Sequence, residues 1–360
     1  MVVGRPGHDV RPGGDVGPRK STLQKTGLIR VPEPKRFRGK RVLVAGAAGF
    51  LGSHLVRALY AEGASLIGVD NLSTGRLDNI QSLVDGGRLE LHTCGVVALP
   101  ALPGPLDFVF NLASPASPKD YQAMPIETLE AGGAGSQALL DLSVRKRSRY
   151  VLTSTSEVYG DPLVHPQPEA YWGNVNPVGP RSVYDEAKRY SEALTTAYAH
   201  VKGLNAGVAR LFNTYGPRLR PGDGRVVSTF IAQALRCEGL TVFGDGQQTR
   251  SLCYVDDTVE GLLRLALSPV TEPVNIGNPH EVTVQTLGST IIELCGSASA
   301  MEYGPALVDD PRRRCPDISR ARALFDWQPR VDLTTGLQRT IRWMQEEVFA
   351  LSDATRVLDR

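Results

Sequence analysis

Residues 41–63 read RVLVAGAAGFLGSHLVRALYAEG, and this stretch decides the fold. Val42 to Ala45 form a short apolar run, Gly46, Gly49 and Gly52 punctuate a turn, and an amphipathic pattern follows. The spacing is GxxGxxG rather than the commoner GxGxxG. Read as strand, turn and helix, the first glycine allows a tight turn and the second lets a pyrophosphate reach the backbone. The third lets helix and strand pack closely. Taken alone, the same triplet also suits a plain strand-to-helix junction.

The surroundings favour the nucleotide reading. A second apolar strand, Ser65 to Val69, ends in Asp70, which stands about 20 residues after the glycines, where a carboxylate accepts hydrogen bonds from adenosine ribose hydroxyls. Its charge disfavours a 2′-phosphate, so NAD is expected over NADP. Further strands are predicted near Leu89 to Thr93, Asp107 to Leu112, Tyr150 to Ser154 and Ala206 to Arg210, with helices near 126–145 and 184–201. Such alternation implies an α/β fold with a doubly wound parallel sheet. Beyond residue 213 the pattern turns irregular. A smaller substrate-binding α/β region is expected over residues 213–360, passing segments back to the nucleotide-binding domain of residues 40–212.

The chain of 360 residues is 41% hydrophobic, enough for a large core, and its formal charge of +2 points to no particular partner. That balance hides an asymmetry, because residues 1–40 hold ten Lys/Arg against three Asp/Glu. Residues 1–39 are Gly/Pro-rich and lack periodicity, and are expected to form a disordered, solvated basic tail rather than a nucleic-acid-binding arm. No signal-peptide core and no run of about 18 apolar residues is seen, so no membrane role and a cytoplasmic setting are expected. Cys94, Cys237, Cys253, Cys295 and Cys315 are scattered without CxxC spacing, as reduced thiols are. No His/Cys/Asp spacing suggests a metal.

Two stretches carry chemistry. TSTSEVYGDP begins at Thr153, so Thr155, Ser156 and Glu157 fall at the C-terminal end of an apolar strand, where open α/β sheets place their ligands. In GPRSVYDEAKRYSEALTTAYAH, Tyr184 and Lys188 stand at i and i+4 on one helix face. A phenol of ordinary pKa about 10 is a poor base at neutral pH, but a nearby ammonium and a positive nicotinamide ring favour its phenolate. Tyr184 is therefore expected to take a hydroxyl proton as hydride leaves the same carbon, with Lys188 lowering its pKa and holding the nicotinamide ribose.

Together GAAGFLGSH, VDNLSTGR, NLASPASP, TSTSEVYGDPLVHPQPE, YWGNVNPVGPRSVYDEAKR, ARLFNTYGPR, GDGRVVSTFI and DDPRRRCPDI resemble the UDP-glucuronate decarboxylases, or UDP-xylose synthases. These are extended short-chain dehydrogenases with a Rossmann sheet. The resemblance runs from about residue 40 to about 345. It implies tightly bound NAD contacted by Gly46, Gly49, Phe50, Leu51, Gly52, Asp70, Asn71, Thr74, Gly75, Leu112, Tyr184 and Lys188. It implies a nucleotide-sugar substrate contacted by Ser114, Pro115, Ala116, Ser117, Tyr121, Glu157, Asn213, Arg250 and Arg314, with Arg312 and Arg313 split between solvated and functional readings. A homodimer through the helices near 126–145 and 184–201 is expected on the same ground.

Within that superfamily the dehydratases resemble this chain but carry Thr-Asp-Glu, the Asp serving as acid for water elimination, whereas 4-epimerases usually lack the Glu. Thr155-Ser156-Glu157 therefore favours decarboxylation. A 4-epimerase or 4,6-dehydratase is the alternative on the same scaffold, and a silent NAD-binding regulator is the alternative of another class. Two departures stand out. Thr93-Cys94-Gly95-Val96 replaces the family's His-Asp-Val, removing a carboxylate expected at the adenine, and Gly132-Gly133-Ala134-Gly135-Ser136 replaces Asn-Thr-x-Gly-Thr. The three glycines are expected to cost the helix about 1 kcal/mol each relative to Ala. Some release of 4-keto-pentose is expected from both losses.

Overall fold

The strand that opens the Gly-rich stretch, Arg41–Ala45 (β1), forms the centre of the computed structural model, which describes residues 35–306 and 313–346. After β1 come Phe50–Ala61 (α1), Ser65–Val69 (β2), Gln81–Asp85 (α2), Leu89–His92 (β3) and Phe108–Asn111 (β4). Pro118–Ala123 (α3), Pro125–Glu130 (α4), Ser136–Lys146 (α5), Arg149–Thr155 (β5), Ser182–Lys202 (α6) and Ala206–Leu211 (β6) complete the first half. The second half holds Thr214–Tyr215 (β7), Val226–Leu235 (α7), Leu240–Phe243 (β8), Thr249–Ser251 (β9), Cys253–Tyr254 (β10), Val255–Leu267 (α8) and Pro273–Ile276 (β11). Glu281–Thr283 (β12), Val284–Cys295 (α9), Met301–Gly304 (β13), Ser319–Phe325 (α10) and Leu333–Met344 (α11) follow.

Seven strands form one parallel sheet in the order β11-β6-β5-β4-β1-β2-β3. Helices α1 and α8 pack on one face and α5 and α6 on the other. With both faces covered, β5 is buried along its whole length, which is why its sequence reads as a run rather than an alternation. The strand ends are level: Ala45 pairs with Val69 and with Asn111, and Thr155 with Leu211. Gly46, Asp70, Leu112, Ser156 and Phe212 therefore all emerge at one edge. The order reverses between β1 and β4, so a crevice opens there. β11 and α8, although late in the sequence, belong to this layer, while β8 and β13 pair separately.

Two expectations need correction. The tail expected through residue 39 stops sooner, because Lys35–Gly39 is folded and Phe37 is fully buried against Phe108 with ring centroids 5.2 Å apart. Residues 1–34 lie outside the described residues. The helix expected over 126–145 is interrupted: α4 and α5 are joined by a π-helical turn, Ala131–Gly135. Two of its glycines, Gly132 and Gly135, are a packing requirement. A Cβ on Gly132 would lie 2.6 Å from the Ala187 carbonyl oxygen on α6, and one on Gly135 2.8 Å from Val96.

Candidate active site

Gly46 adopts φ +81°, and a Cβ there would lie 2.9 Å from the Leu112 backbone. At Gly52 a Cβ would come within 1.9 Å of the Gly46 oxygen, so a side chain at either position would break the turn. Gly49 begins α1, and no side chain caps that helix, which leaves its first N–H groups directed at the crevice. Beside the turn, Asp70 Oδ2 accepts from Ala48 N at 2.8 Å and Oδ1 accepts from Leu72 N at 2.8 Å. Burial raises the Asp70 pKa against these backbone bonds. Bare glycines, an uncapped helix start and an acceptor carboxylate fit a dinucleotide with a free ribose 2′-hydroxyl.

The crevice is a cleft of about 370 Å³. Across from the glycines, Thr155 caps the short turn Ser156–Tyr159, its Oγ1 accepting from Glu157 N at 3.3 Å. Arg181 donates to Glu157 Oε2 at 2.9 Å, and Arg314 donates to Oε1 and to the Gly160 carbonyl. Burial opposes ionisation of Glu157, but Arg314 and Arg181 outweigh it and hold the carboxyl at about 2. Helix α6 turns Tyr184 and Lys188 into the cleft, while Ser191, farther along the same buried stripe, donates to the Gly132 and Ala187 carbonyls where α6 packs on the π-helical turn. Lys188 donates to the Thr153 carbonyl at 2.9 Å, and its Nζ lies 5.9 Å from the Tyr184 ring centroid. Burial lowers the Lys188 pKa to about 8, against Glu192.

Tyr184 departs from expectation. Burial and then Glu157 push its pKa above the ordinary phenol range, outweighing a hydrogen bond from Thr155 and the charge of Arg225. The protein alone thus favours the protonated form of Tyr184, and the Lys188 ammonium donates to the Thr153 carbonyl rather than to the phenol.

Gly46, Gly49, Phe50, Leu51, Gly52, Thr74, Leu112, Ser114, Ala116, Thr155, Ser156, Glu157, Tyr184, Lys188, Asn213, Arg250 and Arg314 all line the cleft. Asp70, Asn71 and Gly75 are not among its lining: Asp70 is buried, Gly75 half-buried and Asn71 exposed. Pro115 and Ser117, expected at the sugar, are buried in their loop, where Ser117 Oγ accepts from Asp120 N at 3.2 Å to cap α3. Tyr121 is also displaced from its expected place. It is 2% exposed and stacks flat on Tyr184, with centroids 5.4 Å apart and planes 6° apart. Arg313 is exposed, and Arg312 lies outside the described residues.

Reading the sequence also passed over Arg181 and Asp120. Arg181 stands three positions before Tyr184, so the start of the same helix carries it to Glu157. Asp120 lines the cleft and pairs with Arg220 at 2.7 Å, joining α3 to the loop before α7. No spacing rule exposes that pair, because its partners are a hundred residues apart. Among the described residues no group of His, Cys, Asp and Glu could hold a metal ion, and no helix is long and apolar enough to cross a membrane.

Residues 42–277 match the model of the NAD dependent epimerase/dehydratase family. UDP-glucuronic acid decarboxylase 2 of Arabidopsis thaliana is 44% identical over 353 residues, covering 95% of this chain and 79% of that protein. The structure resembles UDP-glucose 4-epimerase of Thermotoga maritima with UDP-glucose, at TM-score 0.78 and 30% identity, over 85% of this chain and 99% of the other. It also resembles UDP-glucuronic acid 4-epimerase of Bacillus cereus in complex with UDP-glucuronic acid and NAD, at TM-score 0.77 and 26% identity, over 85% and 99%.

Proposed function

The chain belongs to the UDP-glucuronic acid decarboxylases within the NAD dependent epimerase/dehydratase family, and on that premise we propose that it converts UDP-glucuronate to UDP-xylose. The observation that carries this reading is Glu157, kept ionised by Arg181 and Arg314 beside Ser156 at the end of β5. A dehydratase needs an acid at that serine. Here the hydroxyl of Ser156 supplies none at neutral pH, so water elimination loses its proton donor.

NAD is the cofactor, held by the glycine turn, the start of α1 and Asp70; when bound it supplies oxidising power at the sugar C4 and returns it at the end. With NAD bound, the positive nicotinamide and Lys188 would favour the Tyr184 phenolate, which takes the proton of the C4 hydroxyl, while Thr155 and Ser156 bind beside it. The resulting ketone lies β to the C5 carboxylate, so carbon dioxide can leave with the electron pair delocalised onto the C4 oxygen. Tyr184, which the protein favours in its protonated form, donates to that oxygen where negative charge develops. Lys188 remains charged below about pH 8 and steadies the phenolate whenever Tyr184 is ionised. Glu157 positions the sugar or a proton-delivering water for protonation at C5.

Incubation with NAD and UDP-glucuronate, followed by mass spectrometry of the sugar nucleotide and measurement of carbon dioxide, tests the reading. A pentose product with equimolar carbon dioxide is expected. A hexuronate product with inverted C4 and no carbon dioxide would replace it with epimerase activity. Part of the 4-keto-pentose leaves before reduction, because Gly95 and Gly132 offer no side chain where relatives are expected to carry Asp and Asn. Full conversion with no detectable keto product counts against that part.

The working unit is a homodimer through the helices of residues 126–145 (α4 and α5) and 184–201 (α6), a reading supported by the exposed Ile126 and Leu129 on α4 and Tyr190 on α6. Sedimentation of the protein at micromolar concentration decides between one copy and two. A cytoplasmic setting is supported by the five cysteines, all of which are free thiols.

A further inference from the structure

A bridge of side chains joins two walls of the cleft. Arg220, in the loop between β7 and α7, donates through Nη2 to both oxygens of Asp120 on α3, at 2.7 and 2.8 Å. Beside it, Lys119 donates to the Gly222 carbonyl at 3.2 Å. Asp120 and Arg220 line the cleft, whereas Lys119 and Gly222 are exposed and do not. The bridge therefore sits at the rim, with one contact facing in and one facing out. Strand order fixes what it spans. Helix α3 follows β4, the loop follows β6 and β7, and β4 and β6 flank β5 in the sheet. The bridge thus links the segments on either side of the strand end that carries Thr155, Ser156 and Glu157.

Both ends are anchored. Asp120 Oδ2 also accepts from Ser117 Oγ at 2.8 Å, and Ser117, which caps α3, is 1% exposed. On the other side, His54 on α1 donates to the Pro217 carbonyl at 2.8 Å, and Leu219 is buried. Asp223, also buried, accepts from Arg225 N at 3.0 Å and from Ser228 Oγ on α7 at 2.8 Å. Only Arg220, Pro221 and Gly222 stand between these anchors, so opening needs the Arg220 side chain to leave and not the loop to refold. The Arg220 side chain is 35% exposed. A pair that is partly solvated in this way is weak, which suits a contact broken and remade during turnover.

We propose that the Asp120–Arg220 bridge, backed by Lys119 and Gly222, is a clasp that gates passage of the nucleotide sugar at the rim and so sets how long the 4-keto intermediate is held. The identity of that intermediate rests on the decarboxylase reading. Both partners of the clasp belong to the protein, so its loss speeds entry and exit alike.

The test measures rates of passage. UDP, which carries no sugar to react, is mixed with and displaced from NAD-loaded protein in a stopped-flow instrument. Release is expected to quicken about two- to fivefold in Asp120→Asn and in Arg220→Gln, the rate equivalent of one exposed pair. Entry should quicken with it. The double variant should be no faster than either single one, because each removes the same bridge. Arg220→Lys, which keeps the charge, should fall between Arg220→Gln and the unmutated protein. With UDP-glucuronate, the ratio of keto-pentose to pentose should rise alongside release, since the intermediate escapes before hydride returns.

A direct effect of charge on the diphosphate predicts the opposite pattern: tighter binding and slower release in Asp120→Asn, weaker binding and faster release in Arg220→Gln. Shifts of opposite sign, additive effects in the double variant, or unchanged release overturn the proposal. Asparagine keeps an oxygen for Ser117, and should Asp120→Asn still fail to fold, unchanged release in Arg220→Gln is decisive by itself. Failure of the decarboxylase reading shows separately, as absence of carbon dioxide while the UDP rates still respond.

Discussion

Asp185 feels the charge of Glu157, yet their surroundings drive the two pKa values apart, to about 7 and about 2. The lowered Glu157 value stabilises the fold above its ordinary carboxylate range, and that stabilisation is lost as pH falls toward 2. The raised Asp185 value acts in the opposite sense: stability is fullest below its ordinary range and is lost as pH rises through about 7. Asp185→Asn should therefore raise the melting temperature at pH 8 and leave it nearly unchanged at pH 4. The gain is on the order of a few kcal/mol; equal shifts at the two pH values in a scanning calorimeter would contradict it. At the reacting centre, Tyr184→Phe should lower carbon dioxide release by about 10²- to 10⁴-fold. NAD content, read from the nucleotide released on denaturation, should be unchanged; retained turnover would remove the proton-carrying role. Tyr184, Lys188 and Glu157 were legible in the sequence because local motifs carry them. Asp185 was not, because a lone acid beside a tyrosine reads as surface until its burial is seen.

The elements show where local pattern stops informing. β1, α1 and β2 follow from a short apolar run, a glycine turn and an i, i+3, i+4 stripe of Gly52, Leu55, Val56 and Leu59, all within 29 residues. The π-helical turn between α4 and α5 was read only as a weakened helix, because propensity assigns a cost to glycine without knowing what approaches it. Its neighbours separate the glycines. Gly132→Ala forces a Cβ against the Ala187 carbonyl on α6 and should destabilise by about 1–3 kcal/mol. It should also lower kcat, since Tyr184 and Lys188 sit on the same helix. Gly133→Ala has its nearest neighbour, the Tyr190 ring, at 3.9 Å and should be neutral or stabilising by up to about 1 kcal/mol. Urea unfolding of both variants checks the pair, and equal losses would mean that helix propensity and not close approach sets the cost.

At the scale of the whole molecule, the doubly wound sheet was legible because βα alternation leaves few arrangements, but the joins between distant segments were not. α8 and β11 return from the second half to the first sheet, and their apolar residues fix burial without naming a partner. A second join lies at the start of the folded chain. Arg36 donates to Glu62 at the end of α1 and to Glu260 on α8, and Phe37 is buried beside Phe108 on β4. Composition hid this segment, since Lys35, Arg36, Arg38 and Lys40 continue the basic character of the residues before them. Its energetics are dominated by Phe37, because the Arg36 pairs are about a third exposed and such pairs are worth at most about 1 kcal/mol. Phe37→Ala leaves a cavity under the sheet and should cost about 3–5 kcal/mol. In a chain of this size that lowers the melting temperature by roughly 2–4 °C for each kcal/mol. Phe37 does not line the cleft, so kcat measured well below the transition should stay within about twofold of the unmutated enzyme, as surface and remote changes usually do. Arg36→Ala should move the transition far less. If Arg36→Ala instead proves as costly as Phe37→Ala, the segment is held by its charges, and its place in the fold is that of a strap rather than part of the core.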